Sequence, residues 1–63
     1  GLKYAWVTDN YVYVMTSKVL ASYSFSGKEV NSIPVEDYYE RFYKIGNYFY
    51  LLGYDKIDRI DFK

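Results

Sequence analysis

The hydrophobic residues of the chain fall into short segments that are separated by polar turns. Turn-forming residues recur about every 8 to 10 positions, a spacing expected of all-β domains built from short strands. The segments between the turns are rich in β-branched and aromatic residues, which is typical of strands. The sequence therefore predicts an all-β fold, an antiparallel meander of about seven short strands. These strands are expected near 4–8, 10–16, 18–25, 28–35, 39–45, 47–53 and 56–62.

Two of the predicted strands are apolar on both faces. Successive side chains of a strand point to opposite sides, and every residue of 11–15 and 48–52 is hydrophobic. Both strands are therefore expected to be covered on both sides. The segment 28–35 is more polar and contains Pro34, which has no N–H to donate, so we expect it to form an edge strand.

Two other segments break the two-residue period of a strand. Leu20 and Tyr23 lie three positions apart, and so do Ile57 and Ile60. A β-bulge inserts one extra residue into a strand and is one physical cause of such spacing. A bulge is therefore one interpretation of the spacing in each of these two strands.

The segment 36–45 also fits a helix. Ser32 could cap it, Pro34 suits a first turn and Gly46 follows its end. Its apolar residues recur every three or four positions, as on one face of a helix, and they are Val35, Tyr38, Tyr39, Phe42 and Tyr43. An α+β fold with one helix at 36–45 is thus the alternative to the all-β fold.

One motif occurs twice, 37 residues apart. Asn-Tyr-Val-Tyr at 10–13 corresponds to Asn-Tyr-Phe-Tyr at 47–50. Without a gap, residues 4–26 align with 41–63, and four of the 23 aligned positions are identical. We interpret residues 1–63 as a single module with two repeat units, while two unrelated hairpins remain the alternative. The alignment favours a strand at 41–45, because the corresponding segment has no helical signal.

The repeated segments resemble blades of a β-propeller. In the second unit, Gly46-Asn47-Tyr48-Phe49-Tyr50-Leu51 is followed by Ile57-Asp58-Arg59-Ile60-Asp61-Phe62. This pattern is similar to the short-blade propellers of bacteria and archaea, including those with Leu-Val-Ile-Val-Asp repeats and the six-bladed Tyr-rich ones. The resemblance implies four-stranded blades, so the chain would hold one full blade and three strands of a second. A ring normally needs four or more blades, which implies self-association or a place in a larger propeller.

Composition narrows the choice of partners. The chain has eight basic and eight acidic residues and no net charge, which argues against nucleic acid and anionic membranes as partners. It has no Cys, so no disulfide compensates for the marginal core of so small a domain. Ten Tyr, four Phe and one Trp supply most of its hydrophobic surface. We therefore expect the chain to associate with itself or with the remainder of a larger protein.

Catalytic and metal-binding patterns are missing from the sequence. Nucleophile–base pairs usually rest on His, which the chain lacks. Asp55, Asp58 and Asp61 would point to alternate faces of a strand and could not converge on one metal ion. We expect no enzyme activity, no catalytic residue, no metal and no cofactor.

Three tyrosines are the candidate contact residues for a ligand or partner. Tyr38, Tyr39 and Tyr54 lie at predicted strand starts or turns, where exposed rings are expected. They could equally be boundary residues with buried rings and solvated hydroxyls. The sequence thus predicts a non-catalytic β-repeat interaction scaffold, and the alternative is a small carbohydrate- or ligand-binding module that uses these tyrosines.

Overall fold

The computed structural model describes residues 1–62, and they form an all-β fold of seven strands. Within those residues no helix is long and apolar enough to cross a membrane. Each strand overlaps one predicted from the sequence, so the all-β prediction is confirmed and the α+β alternative is wrong. The strands are β1 (Leu2–Val7), β2 (Val12–Thr16), β3 (Val19–Tyr23), β4 (Glu29–Pro34), β5 (Tyr39–Ile45), β6 (Tyr48–Gly53) and β7 (Ile57–Asp61).

The helical spacing near residue 40 has a physical cause in β5. The pairing of β5 with β6 shifts between Tyr39 and Arg41, where the strand holds an extra residue. Such a bulge turns two residues three apart to the same side of the sheet. Tyr39 and Phe42 are accordingly both buried, while Glu40 and Arg41 between them are exposed. The bulge therefore produces a three-residue apolar spacing that imitates a helix.

The strands form two antiparallel sheets that pack on each other. The first sheet has the order β1-β2-β3-β4 and the second has the order β5-β6-β7, and β1 lies beside β5. The four-plus-three division matches the prediction of one four-stranded unit followed by three strands. β4 is an edge strand, as Pro34 predicted.

The pairing of the first three strands recurs in the last three at an offset of 37 residues. Tyr4 faces Met15 in the first sheet, and Arg41 faces Leu52 in the second. The irregularity between Leu2 and Tyr4 corresponds to the one between Tyr39 and Arg41. The second and third strands of each sheet follow the same rule, with the pairs Val12–Tyr23, Tyr13–Ser22, Val14–Ala21 and Met15–Leu20 recurring as Phe49–Ile60, Tyr50–Arg59, Leu51–Asp58 and Leu52–Ile57.

The two sheets turn opposite faces inward. β2 buries Tyr13 and Met15, whereas β6 buries Phe49 and Leu51, which correspond to Val12 and Val14 of β2 at the 37-residue offset. Each sheet is therefore covered on one side only. The prediction that these strands are covered on both sides is wrong for the single chain, because two layers provide only one interior.

Aromatic rings fill the interior between the sheets. The ring of Phe49 lies at the centre, with its centroid 4.9 Å from that of Tyr13, 5.6 Å from Phe42 and 5.3 Å from Phe62. Aromatic pairs at these separations contribute about 0.5–1.5 kcal/mol each beyond the area they bury. The interior thus joins residues of both sheets through one continuous ring cluster.

Neither of the two strands with three-residue spacing holds a bulge. The pairing of β3 with β4 shifts between Ser22 and Tyr23, but the extra residue is Val30 of β4, so the interpretation of a bulge in the third strand is wrong. The pairing of β7 with β6 is continuous from Ile57 to Asp61, so the bulge predicted there is wrong. Ile57 points outward and Ile60 points inward, which a regular strand allows for residues three apart.

Candidate functional site

The outer side of the first sheet forms a mainly apolar surface, with Glu29 at its β4 edge opposite Tyr23. Val7 faces Val12, and Ala5 faces Val14, so directly paired residues place these side chains on one side. We call this surface outer face 1, and it consists of Ala5, Val7, Val12, Val14 and Tyr23. Val7 and Ala5 are exposed, and the other three are half-buried. Contiguous exposed apolar surface of this kind marks interaction sites on soluble domains.

The outer side of the second sheet is rich in tyrosine. We call it outer face 2, and it consists of Tyr43, Ile45, Tyr48, Tyr50, Leu52 and Ile57 with the charged residues Arg41, Arg59 and Asp61. The guanidinium of Arg59 lies over the Tyr48 ring, 4.4 Å from its centroid. Tyr and Arg are the residue types enriched where protein partners bind. Outer face 2 therefore has the composition of a protein contact surface.

Two of the three predicted contact tyrosines lie together. The rings of Tyr38 and Tyr39 are 4.6 Å apart, and Lys56 Nζ lies 5.0 Å from the Tyr38 ring centroid and donates a 3.0 Å hydrogen bond to its hydroxyl. Tyr38 is exposed, but Tyr39 is only 6% exposed, so the expectation of an exposed Tyr39 ring is wrong. The bulge in β5 turns that ring inward. Tyr54 lies in the β6–β7 turn and is 96% exposed.

The Tyr39 hydroxyl carries a buried polar contact. It donates a hydrogen bond to Asp58, and Lys56 Nζ approaches the same carboxylate at 3.4 Å. Burial and then the Asp58 hydrogen bond raise the pKa of Tyr39. The same hydrogen bond, with a smaller contribution from Lys56, lowers the pKa of Asp58. This cluster holds one acidic and one basic side chain beside an exposed tyrosine ring.

A second group of polar residues lies in a cleft between the sheets. The cleft has a volume of about 610 Å³, and the two Asn-Tyr turns contribute Asn10, Tyr11 and Asn47 to its wall. Lys44 and the ring of Phe62 also line it. The sequence singled out both turns as a repeated motif but did not predict that they meet at one cleft.

Lys3 connects the two sheets at the bulge of β5. Its Nζ lies 2.8 Å from Asp37 Oδ1 and 3.8 Å from Glu40 Oε1, and it donates a 2.9 Å hydrogen bond to the Tyr39 carbonyl. The hydrogen bond from Lys3 lowers the pKa of Asp37. Sequence reasoning missed this residue, because no local pattern links a lysine in β1 to acidic residues more than 30 positions later.

Comparison of the chain with known proteins gives no significant match. No protein-family model matches it, and no curated protein or solved structure is significantly similar to it. Among residues 1–62, no three acidic side chains form a group that could hold a metal ion. The two outer faces and the tyrosine cluster are therefore the candidate functional sites.

Proposed function

We propose that the chain is a non-catalytic β-repeat interaction scaffold that assembles into, or forms part of, a propeller-like structure. The observation that carries the proposal is the 37-residue offset in strand pairing, together with the opposite faces that the two sheets bury. Two units with the same pairing, stacked face to back, are the arrangement expected of neighbouring blades. The remaining outer faces are then the surfaces through which the scaffold makes contacts.

The distribution of apolar residues supports an interaction role. Outer face 1 consists of apolar and tyrosine side chains, and outer face 2 exposes Tyr43, Ile45, Tyr48 and Ile57. Monomeric soluble proteins rarely leave contiguous apolar patches exposed on two sides. Covering both patches would also supply the burial that so short a chain lacks.

Molar mass in solution tests this function. We expect the mass measured by sedimentation equilibrium to rise with concentration, and the unfolding midpoint to rise with it, over a roughly hundredfold range. A monomer with a constant mass and midpoint across that range would contradict assembly. Circular dichroism of the same samples, with a β-sheet spectrum, controls for unfolding.

The second candidate function is a small module that binds carbohydrate or another ligand, in which exposed tyrosines supply flat stacking surfaces. The observation that favours it is the exposure of Tyr38 and Tyr54, together with Lys56 Nζ over the Tyr38 ring. Titration with neutral oligosaccharides should then change tyrosine fluorescence in the original chain and not in Tyr54→Ala. An unchanged signal in both chains would exclude this function.

A further inference from the structure

We infer that a second copy of this chain stacks head to tail on the first, so that outer face 2 of one copy covers outer face 1 of the next. This inference rests on the proposed scaffold function and names the partner and the surfaces. Its starting point is the contact already present inside one chain. There the inner side of the first sheet packs on the inner side of the second, and the two sides are not equivalent.

The 37-residue offset relates the open surfaces to the packed ones. Adding 37 to Tyr4, Trp6 and Tyr13 of the first sheet's inner side gives Arg41, Tyr43 and Tyr50 of outer face 2. Subtracting 37 from the second sheet's inner residues gives outer face 1 in the same way, with Phe49 and Leu51 corresponding to Val12 and Val14. The two outer faces are thus the counterparts of the two inner sides that already fit together.

This relation predicts particular contacts between copies. Tyr13 packs on Phe49 inside the chain at 4.9 Å, so Tyr50 of one copy should pack on Val12 of the next. The predicted partner, a valine, is smaller than Phe49. Ile57 illustrates what such a contact would cover, because it is 68% exposed while Leu20, its counterpart, is 0% exposed.

One pair of charges at the rim, Lys3 and Glu40, fits this stacking. Lys3 and Glu40 approach at 3.8 Å inside the chain, and they are themselves counterparts at the 37-residue offset. At the contact between copies, Glu40 of one copy takes the position of Lys3, and Lys3 of the next takes the position of Glu40. Opposite charges therefore meet again, with their places exchanged.

The predicted contact joins two different surfaces. Such a heterologous contact leaves one free surface at each end of a growing stack, which closes into a ring if the rotation per copy allows and otherwise continues as a fibre. An isologous dimer would instead pair the same face of both copies and stop at two. The size of the assemblies that form when variants with one blocked face are mixed can therefore distinguish the two modes.

Two blocking variants test the inference. Val12→Lys places a charge on outer face 1, and Tyr50→Lys places one on outer face 2. Each variant alone should stay monomeric at concentrations where the original chain associates, because every contact would include a blocked face. An equimolar mixture should form a dimer of twice the monomer mass and nothing larger, since one junction has two intact faces. Asn31→Lys, which adds the same charge on the exposed edge strand, should associate like the original chain.

Cysteine variants provide a milder second measurement, because the chain has no cysteine of its own. After oxidation, a mixture of Val12→Cys and Tyr50→Cys should yield a crosslinked heterodimer, and neither variant alone should crosslink. This test remains decisive if a lysine variant unfolds.

The outcomes separate this inference from the proposed function. If the original chain associates but one lysine variant still dimerises alone, or one cysteine variant crosslinks with itself, the head-to-tail contact is wrong and the scaffold function stands. Association of both lysine variants like the original chain would equally overturn the inference. If the original chain never associates, the self-assembling scaffold fails together with it.

Discussion

Truncating Phe62 should destabilise the monomer far more than truncating Phe25, although the two residues lie 37 positions apart at corresponding places in the sequence. Phe62 is 4% exposed, and its ring centroid lies 5.3 Å from Phe49 and 6.3 Å from Tyr13. Phe25 is 62% exposed in the turn after β3. The contrast depends on which sheet face is inner, and so it tests the face assignment directly.

The expected magnitudes follow from burial. Replacing a buried Phe by Ala costs about 3–5 kcal/mol of unfolding free energy, of which the lost aromatic pairs supply about 0.5–1.5 kcal/mol each. Phe62 follows the last strand, where neighbouring side chains can relax, so we expect a loss of about 3 kcal/mol. At roughly 0.05–0.15 kcal/mol per residue, the whole domain has only about 3–9 kcal/mol. Phe25→Ala should cost about 0.5 kcal/mol or less, as surface substitutions usually do.

Urea unfolding followed by Trp6 fluorescence measures both losses. The Trp6 ring stacks on Phe42 with a centroid separation of 6.2 Å, so its emission reports the packing of one sheet on the other. The experiment is run at a concentration where the original chain is monomeric and is repeated at a lower one, because association would add its own stabilisation. Equal losses in the two variants, or a loss below about 1 kcal/mol for Phe62→Ala, would refute the assignment of inner and outer faces.

Two further predictions concern the tyrosine cluster and a close backbone approach. The raised pKa of Tyr39 means that its neutral hydroxyl stabilises the fold below about pH 10 and that this contribution is lost at higher pH. The pKa of Asp58 is lowered, so its ionised carboxylate stabilises the fold above about pH 4, and this contribution is lost below that pH. Tyr39→Phe should therefore reduce the change in unfolding free energy with pH on both the acidic and the alkaline side, whereas Tyr54→Phe should leave it unchanged. Parallel curves of unfolding free energy against pH for the two variants would disprove this role of the Tyr39 hydroxyl. Gly53→Ala should cost about 1–3 kcal/mol in urea unfolding, because the added Cβ would lie 2.9 Å from the Tyr38 carbonyl oxygen, and an unchanged midpoint would contradict that close contact.

The strands were predictable because turn chemistry and local composition determine them. The β5–β6 turn is an example, since Gly46 has a φ of +59°, a backbone conformation that glycine adopts without steric cost. Asn47 has no positive φ, which fits a two-residue hairpin turn of type II′. The signal for this turn lies entirely in neighbouring residues, so one sequence is sufficient to find it.

The inward or outward direction of side chains was less predictable, because it depends on which face of each sheet packs on the other sheet. Val12 and Phe49 occupy corresponding positions in strands that are apolar on both sides, yet only Phe49 is buried. Nothing within either strand distinguishes its two faces. The exposure of Tyr39 was mispredicted for a related reason, since the bulge that turns its ring inward is defined by pairing with β6 rather than by the sequence around it.

Two of the four edge strands, β4 and β7, bear on the direction in which copies can add. Pro34 withholds a backbone donor on β4, and β7 carries Asp58, Arg59 and Asp61 along its length. Proline and charged side chains on an edge strand oppose the pairing of that edge with another chain. Growth by hydrogen bonding between strands, as in amyloid, is therefore disfavoured at β4 and β7, while the sheet faces stay open. Assemblies of this chain should accordingly lack the 4.7–4.8 Å axial repeat of cross-β fibres.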